Sequence, residues 1–359
     1  MRRTYDGPLM AVRTTAKSGA KGGGKPRHEA LGLSLDDVKL MYRQMLLMRV
    51  IGERMMQLNR MGRAPFTAAS DGHEAAEVGA GWAIKRGSDW CVPYYRDIGV
   101  AIVLGFTALD EFRGVFAKAT DPNSGGRQMI NQFSSPKDRI LTGSVCIATQ
   151  FPHAVGLALA ARVKKEDHIV FAFGGDAATS PGDFHEAVNF ASVQKLPVVF
   201  VIENNLLAIS TRFEQQMAVP NVADRAAAYG IPGLIADGMD VLDSYEKVKA
   251  GADHARAGKG PSLVELMCYR YLPHTSDDDD SRYRSKDELA YWRGRDPVEG
   301  GAAYLTAQGV DAAWLRSTRE EIGSEIESAI EQAEREPDPS PDDATKHVYA
   351  EDPPPGTRA

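Results

Sequence analysis

Two hydrophobic periods divide this chain. Ser34 followed by Asp37 resembles a helix-starting capping box. Beyond it, Val38, Met41, Met45, Met48 and Met55 recur at helical spacing and predict an amphipathic helix whose stripe serves the core or a subunit contact. A second helical stretch runs from near His73 through Ala83, ends near Gly87, and leads into Trp90–Arg96. From Leu159 onward the rhythm changes. Short apolar runs at Ile169–Phe173, Val198–Ile202, Gly233–Ala236 and Ser262–Cys268 alternate with helical stretches at Asp183–Gln194 and Val241–Ala257. That alternation predicts an α/β fold built on a parallel sheet with helices on both faces. In such sheets ligands gather beyond the carboxyl ends of the strands. Gly174-Gly175-Asp176, Glu203-Asn204-Asn205, Asp237-Gly238 and Tyr271–His274 all fall at those ends.

The chain ends read differently. Segment 1–30, rich in Gly, Lys and Arg, predicts a flexible basic arm without the apolar core of a secretory signal. Gly19–Lys25 nearly spells a phosphate-binding GxxxxGK loop, but Pro26 replaces the required Ser or Thr and no strand precedes it. Asp287–Arg293 and Ala312–Glu336 read as charged helices. The prolines of Pro337–Pro341 and Pro353–Pro355 predict an extended tail over 337–359, leaving 31–336 as the folded domain. The 359 residues are 43% hydrophobic and 25% charged, the balance of an ordinary soluble globular protein. A net charge of -7 argues against nucleic-acid binding, and no apolar run of membrane-spanning length occurs. Cys91, Cys146 and Cys268 form no CxxC pair, which fits a reducing, cytoplasmic location and offers no thiolate metal site.

Asp176 and Asn205 carry the candidate chemistry. They follow consecutive predicted strands, whose tips lie about 4.8 Å apart when paired. A carboxylate and an amide oxygen suit a hard cation such as magnesium, which completes its octahedron with phosphate oxygens. Taken singly, each residue is ordinary turn chemistry. The spacing decides otherwise. Gly175-Asp176-Ala177, 26 residues, then Asn204-Asn205 resembles the GDG–x–NN fingerprint that binds magnesium and thiamine diphosphate.

Further stretches extend the resemblance from about Leu33 to Glu336. Gly72-His73-Glu74-Ala75-Ala76, Tyr95-Arg96-Asp97, and Ala148-Thr149-Gln150 ahead of Pro152-His153-Ala154-Val155-Gly156 are similar to alpha subunits of the first component of 2-oxoacid dehydrogenases. Arg270 through Arg284 (RYLPHTSDDDDSRYR) resembles the active-site loop of the branched-chain type. The resemblance implies the thiamine-diphosphate-binding fold. It implies that Tyr95 and Arg96 hold the terminal phosphate, and that Asp176, Asn205 and the Leu207 carbonyl ligate magnesium. By the same resemblance, Ala177 and Ala178 lie against the diphosphate through backbone N–H groups near the start of the next helix, and Val145 and Ile147 line the cofactor. Glu203 falls among the cofactor-contacting positions, at a site where the mammalian branched-chain enzyme has arginine. Ser144, Cys146, Thr149 and Gln150 match a potassium site of relatives. His274 is implied to contact the diphosphate and to assist acyl transfer to lipoamide, a step suited to a side chain that carries protons near neutrality. The run Asp277–Asp280 reads as a solvated loop, not a second metal site.

Thr275 stands where the mammalian enzyme has its regulatory serine, so kinase control is not expected. Gln132 stands where relatives often have histidine after Gly126-Arg127-Gln128-Met129, which bears on substrate preference. The chain shows one parallel-sheet rhythm and one diphosphate fingerprint, with no obvious glutamate to activate the aminopyrimidine. The resemblance therefore implies a beta subunit in a heterotetramer of two alpha and two beta chains, serving a lipoyl-bearing acyltransferase. Pyruvate and acetoin dehydrogenase alpha subunits remain rival readings. A nicotinamide dehydrogenase is excluded by the lack of GxGxxG after a strand.

Overall fold

The computed structural model describes residues 25–346. The chain opens with α1 (Arg27–Ala30) and the long α2 (Leu35–Arg60), then α3 (Glu74–Trp82), β1 (Trp90–Val92), α4 (Ile98–Leu104), α5 (Ala108–Val115) and α6 (Gln150–Lys164). The sheet continues through β2 (Val170–Gly175), α7 (Gly182–Val193) and β3 (Val198–Asn204). A small antiparallel hairpin, β4 (Leu207–Ala208) with β5 (Thr211–Arg212), is followed by α8 (Phe213–Gln216), β6 (Gly233–Asp237), α9 (Val241–Arg256) and β7 (Ser262–Met267). Three helices close the described chain: α10 (Lys286–Arg293), α11 (Pro297–Ala307) and α12 (Ala312–Arg335).

The five main strands run parallel in the order β1-β2-β3-β7-β6. Strand alternation sends Phe171, Phe173, Val199, Val201, Val264 and Leu266 into one core with α2, α3, α4 and α9. Val170, Ala172, Val198, Phe200, Ile202 and Leu263 enter the other core with α6 and α7. This is the expected doubly covered sheet, and its strands are continuous apolar runs because neither face meets water. β1 leaves toward α4 on one face, whereas its neighbour β2 leaves toward α7 on the other. The outgoing loops therefore part between these two strands, the place where α/β sheets form a binding crevice.

The Ser34–Asp37 capping box forms as expected, and Val38, Met41, Met45, Met48 and Met55 are all buried. α12 docks through Ile322, Ile326 and Ile330, one helical stripe that packs against α2 and α5. Two boundaries differ from expectation. The arm expected through residue 30 stops short, because Arg27–Ala30 form a helical turn. Arg27 there pairs with Asp240 at 2.5 Å, and the buried His28 bonds Tyr304 through Nδ1 at 2.9 Å. Residues 1–24 lie outside the described residues. The segment after Glu336 begins attached: the Ala119 N–H donates to the Pro337 carbonyl at 2.9 Å and Lys118 pairs with Asp338 at 2.7 Å. Residues 347–359 of the expected tail are likewise outside the described chain. α4, α5 and α11 were not separately legible as helices in the sequence pattern.

Helix packing beneath the crevice is close enough to exclude side chains. A Cβ added at Gly79 of α3 would stand 2.6 Å from both the Val241 carbonyl oxygen and Ser244 Cβ of α9. Backbone cannot yield as a flexible side chain can. Gly79→Ala will therefore destabilise the fold by about 1–3 kcal/mol. Gly323→Ala, in α12 with no atom within 4 Å, will instead stabilise it by about 0.5–1 kcal/mol. Thermal midpoints of the two variants, moving in opposite directions, check the assignment.

Candidate active site

The site assembles at the tips of β1, β2, β3 and β7. Gly175 at the end of β2 is in register with Glu203 near the end of β3, so Asp176 and Asn205, one and two residues past these positions, emerge at neighbouring tips. The Asp176 carboxylate accepts from Gln216 Nε2 at 2.6 Å. Burial pushes its pKa up to about 6, against the pull of its hydrogen bonds. Hairpin strand β4, which carries Leu207, packs on the 3-10 turn Asp176–Thr179. The three oxygen-bearing residues expected to share one cation are therefore neighbours. Carboxylate, amide and carbonyl oxygens form a donor set that fits a hard cation. Leu206 and Ile209 flank Leu207 with φ of +68° and +56°, a left-handed backbone that is costly for a β-branched residue.

Ala177 and Ala178 follow Asp176 in a 3-10 turn, and α7 begins at Gly182. Their N–H groups thus belong to a tight turn just ahead of the helix.

A cationic cluster stands across the crevice. Arg96, after β1, and Arg270, after β7, are both buried, and each directs a guanidinium nitrogen to Nδ1 of His274 at 3.3 Å. Arg96 also donates to the Ala69 carbonyl at 2.7 Å and lies over the Tyr95 ring, 5.2 Å from its centre. The Tyr95 and His274 rings meet edge to face at 6.2 Å. Burial, with the charges of Arg96 and Arg270, lowers the His274 pKa to about 4. Arg270 itself is drawn down to about 10 by burial and by Arg96. With two donors on Nδ1, the neutral His274 carries its proton on Nε2. Asp278 holds the loop from below, accepting from the His274 N–H at 2.7 Å.

The remaining expected residues fall into two groups. Val145 and Ile147 are exposed, 58% and 39%, on the loop before α6. In that loop Ser144 Oγ accepts from the Cys146 N–H, and Thr149 Oγ1 donates to the Cys146 carbonyl at 2.8 Å. Gln150 turns away to the Phe173 carbonyl, leaving its own Oε1 buried without a partner. Glu203 is committed inward. Strand parity places it on the α3 face, where it accepts from His73 Nδ1 at 2.7 Å and from the Tyr94 hydroxyl at 2.9 Å. A carboxylate occupied there is not offered to a diphosphate, which removes the expected contact.

Sequence reasoning missed His73, Tyr94, Asp97, Gln216 and Arg270 as parts of this site. Burial raises the carboxyls of Glu77 and Asp97 well above the ordinary range, and the negative Glu203 adds to the effect. Burial works to raise Glu203 too, yet hydrogen bonds from His73, Asp97 and Tyr94 hold it below its usual value. Its loop neighbours gave a signal for His73, within Gly72-His73-Glu74. Gln216 lies 40 residues beyond Asp176 and gave none.

Neighbouring β-strand tips thus carry a carboxylate and an amide, with two buried arginines in the loops after β1 and β7. The chain belongs to the dehydrogenase E1 component family, whose profile matches residues 42–342. It is 47% identical over 325 residues to the 2-oxoisovalerate dehydrogenase subunit alpha of Bacillus subtilis, covering 90% of this chain and 98% of that one. Identity is 39% over 323 residues to the 3-methyl-2-oxobutanoate dehydrogenase subunit alpha of Mycobacterium tuberculosis, covering 88% and 83% of the two chains. It is 36% over 302 residues to the pyruvate dehydrogenase E1 component subunit alpha of Staphylococcus aureus, covering 84% and 78%. Family membership implies thiamine diphosphate as cofactor and a complex with a beta subunit and other components. Among the described residues, no helix is long and apolar enough to cross a membrane.

The histidine loop generates a pH prediction. A folded-state pKa below the unfolded value of about 6.5 means that the packed loop disfavours the proton. The loop's stabilising contribution is then complete above pH 6.5 and is lost as pH falls toward 4. For a half-buried, partly screened ring the effect is on the order of 1 kcal/mol. Thermal midpoints of the wild-type protein will fall more steeply between pH 7 and 5 than those of His274→Asn. Parallel curves would refute it.

Proposed function

We propose that this chain is the alpha subunit of a branched-chain 2-oxoacid dehydrogenase. The reaction is oxidative decarboxylation of 3-methyl-2-oxobutanoate and related 2-oxoacids, with the acyl group passed to a lipoyl-bearing acyltransferase. The observation that carries this reading is the meeting of Asp176, Asn205 and Leu207 at adjoining strand tips, opposite Arg96, Arg270 and His274. The substrate choice is supported by the identity of 47% and 39% to branched-chain alpha subunits against 36% to the pyruvate enzyme.

In this reading Asp176, Asn205 and the Leu207 carbonyl hold Mg2+. Arg96, with Arg270 beside it, neutralises the terminal phosphate through planar, charge-assisted hydrogen bonds. Tyr95 packs on Arg96 and His274 and keeps both at the mouth of the crevice. Ala177 and Ala178 offer backbone N–H groups to the diphosphate. Thiamine diphosphate, when bound, supplies the nucleophilic carbon and the electron sink for decarboxylation. His274 keeps its Nε2–H facing away from the two arginines, where it would donate a hydrogen bond to an atom entering the crevice. Ser144, Cys146 and Thr149 gather around one turn that suits K+, with Gln150 directed elsewhere.

A beta chain completes the site, in a heterotetramer of two alpha and two beta chains. Exposed Val145 and Ile147 beside the crevice, and an open groove of about 550 Å³ between α6 and α7 lined by Pro152, Val155, Leu159, Phe190 and Val193, support a large apolar contact there. The free thiols of Cys91, Cys146 and Cys268 fit a cytoplasmic setting.

Turnover of the assembled alpha–beta enzyme with 3-methyl-2-oxobutanoate, pyruvate and acetoin tests the substrate. The branched 2-oxoacid will exceed the others by at least about tenfold in kcat/KM, the discrimination that one or two methylenes provide in an apolar pocket; a tenfold preference for pyruvate would overturn the choice. Calorimetry tests the cation site separately. Asp176→Ala will weaken Mg2+-dependent binding of thiamine diphosphate by about 100-fold or more, as loss of a first ligand should. Unchanged binding would remove the metal assignment.

A further inference from the structure

A buried polar chain lies behind Asn205, on the side away from the crevice mouth. His73, immediately before α3, is wholly buried. One ring nitrogen, Nδ1, is 2.7 Å from Glu203 Oε2; the other, Nε2, is 3.3 Å from Asn205 Nδ2. On its far side, Asn205 Oδ1 accepts from the Leu207 N–H at 3.2 Å.

The direction of every bond in this chain follows from its first member. Glu203 Oε2 also accepts from the Tyr94 hydroxyl at 2.9 Å, so one carboxyl oxygen takes both donors and the His73 Nδ1–H points at it. The proton of the neutral ring therefore sits on Nδ1, and Nε2 presents a bare lone pair. An amide faces a lone pair only with its NH2 group. The Asn205 oxygen must then point the opposite way, toward Leu207 and Asp176. Without that constraint an asparagine amide turns over readily, and a nitrogen would stand where a cation needs oxygen.

We infer that His73, locked in one tautomer by Glu203, is a positioning residue that keeps the Asn205 amide oxygen aimed at the cation. The inference rests on the reading of Asn205 as a magnesium ligand. It gives Glu203 a task two bonds removed from the cofactor, consistent with a position inside the α3 layer.

His73, Glu77 and Glu203 also bring potential ligand atoms within 4.8 Å of one another. They do not form a second metal site. The Glu77 Oε2 is engaged by the Gly99 N–H at 2.6 Å, and the proton on His73 Nδ1 fills the space between ring and Glu203.

The test uses the full chain assembled with its beta subunit. Mg2+ is titrated calorimetrically at saturating thiamine diphosphate for His73→Leu, His73→Gln, Glu203→Gln and Asp176→Ala. His73→Leu will weaken Mg2+ by about 10- to 100-fold, the usual loss when a residue that orients a ligand is removed. His73→Gln carries a donor and an acceptor with nearly the ring's spacing, and it will restore affinity to within about threefold of wild type. A side chain needed only for packing would show no such rescue. Glu203→Gln permits both tautomers and will weaken Mg2+ by about three- to tenfold. If His73→Leu does not fold, Glu203→Gln decides: wild-type affinity overturns the inference. Equal loss in the Leu and Gln variants also overturns it, as does wild-type affinity in both. Unaltered binding by Asp176→Ala would instead overturn the cation site itself, which separates the two failures.

Discussion

The pairing of β2 with β3 is the constraint on which the site depends. Parallel neighbours sit about 4.8 Å apart, and the register sets Gly175 opposite Glu203. Asp176, one residue past Gly175, and Asn205, two past Glu203, then emerge at neighbouring tips. Both strands are buried on each face, so their tips are as fixed as the core itself. The two side chains are thereby held in place by the sheet itself. Burying the Asp176 carboxylate is unfavourable, and the hydrogen bond from Gln216 offsets part of that cost.

Charge is sorted around these tips by strand parity. Glu203 faces the α3–α4 layer, where His73, Tyr94 and Asp97 satisfy it. Asn204, one residue on, faces the opposite layer, where Glu265 holds its amide at 2.7 Å. Negative charge is thus confined inside the layers. The arginines and His274 approach from the loops after β1 and β7, and their mutual repulsion leaves the mouth of the crevice short of an anion. A diphosphate would supply it.

Much of this was legible from residue pattern. The Ser34–Asp37 cap, the methionine stripe of α2 and the runs at β2, β3, β6 and β7 declare their periods locally. The Asp176–Asn205 spacing identified the crevice because one strand–helix–strand unit has a nearly fixed length. One reading failed for a physical reason. Glu203 was read as a cofactor contact from the position it shares with the mammalian enzyme's arginine, but its side chain turns into the α3 layer, where His73 and Tyr94 hold it.

Local interactions made the elements and the strand-tip chemistry readable, because periodicity, capping and turn preferences act over a few residues. By itself the sequence determined a parallel α/β sheet with a carboxylate and an amide at neighbouring tips. Only the tertiary structure decided that His73 stands behind Asn205, that Gln216 reaches Asp176, and that Arg96 and Arg270 meet at His274. Apart from Arg270 and His274, those contacts join residues 40 to 178 positions apart. Side-chain orientation and strand order, neither of which leaves a local period, set them.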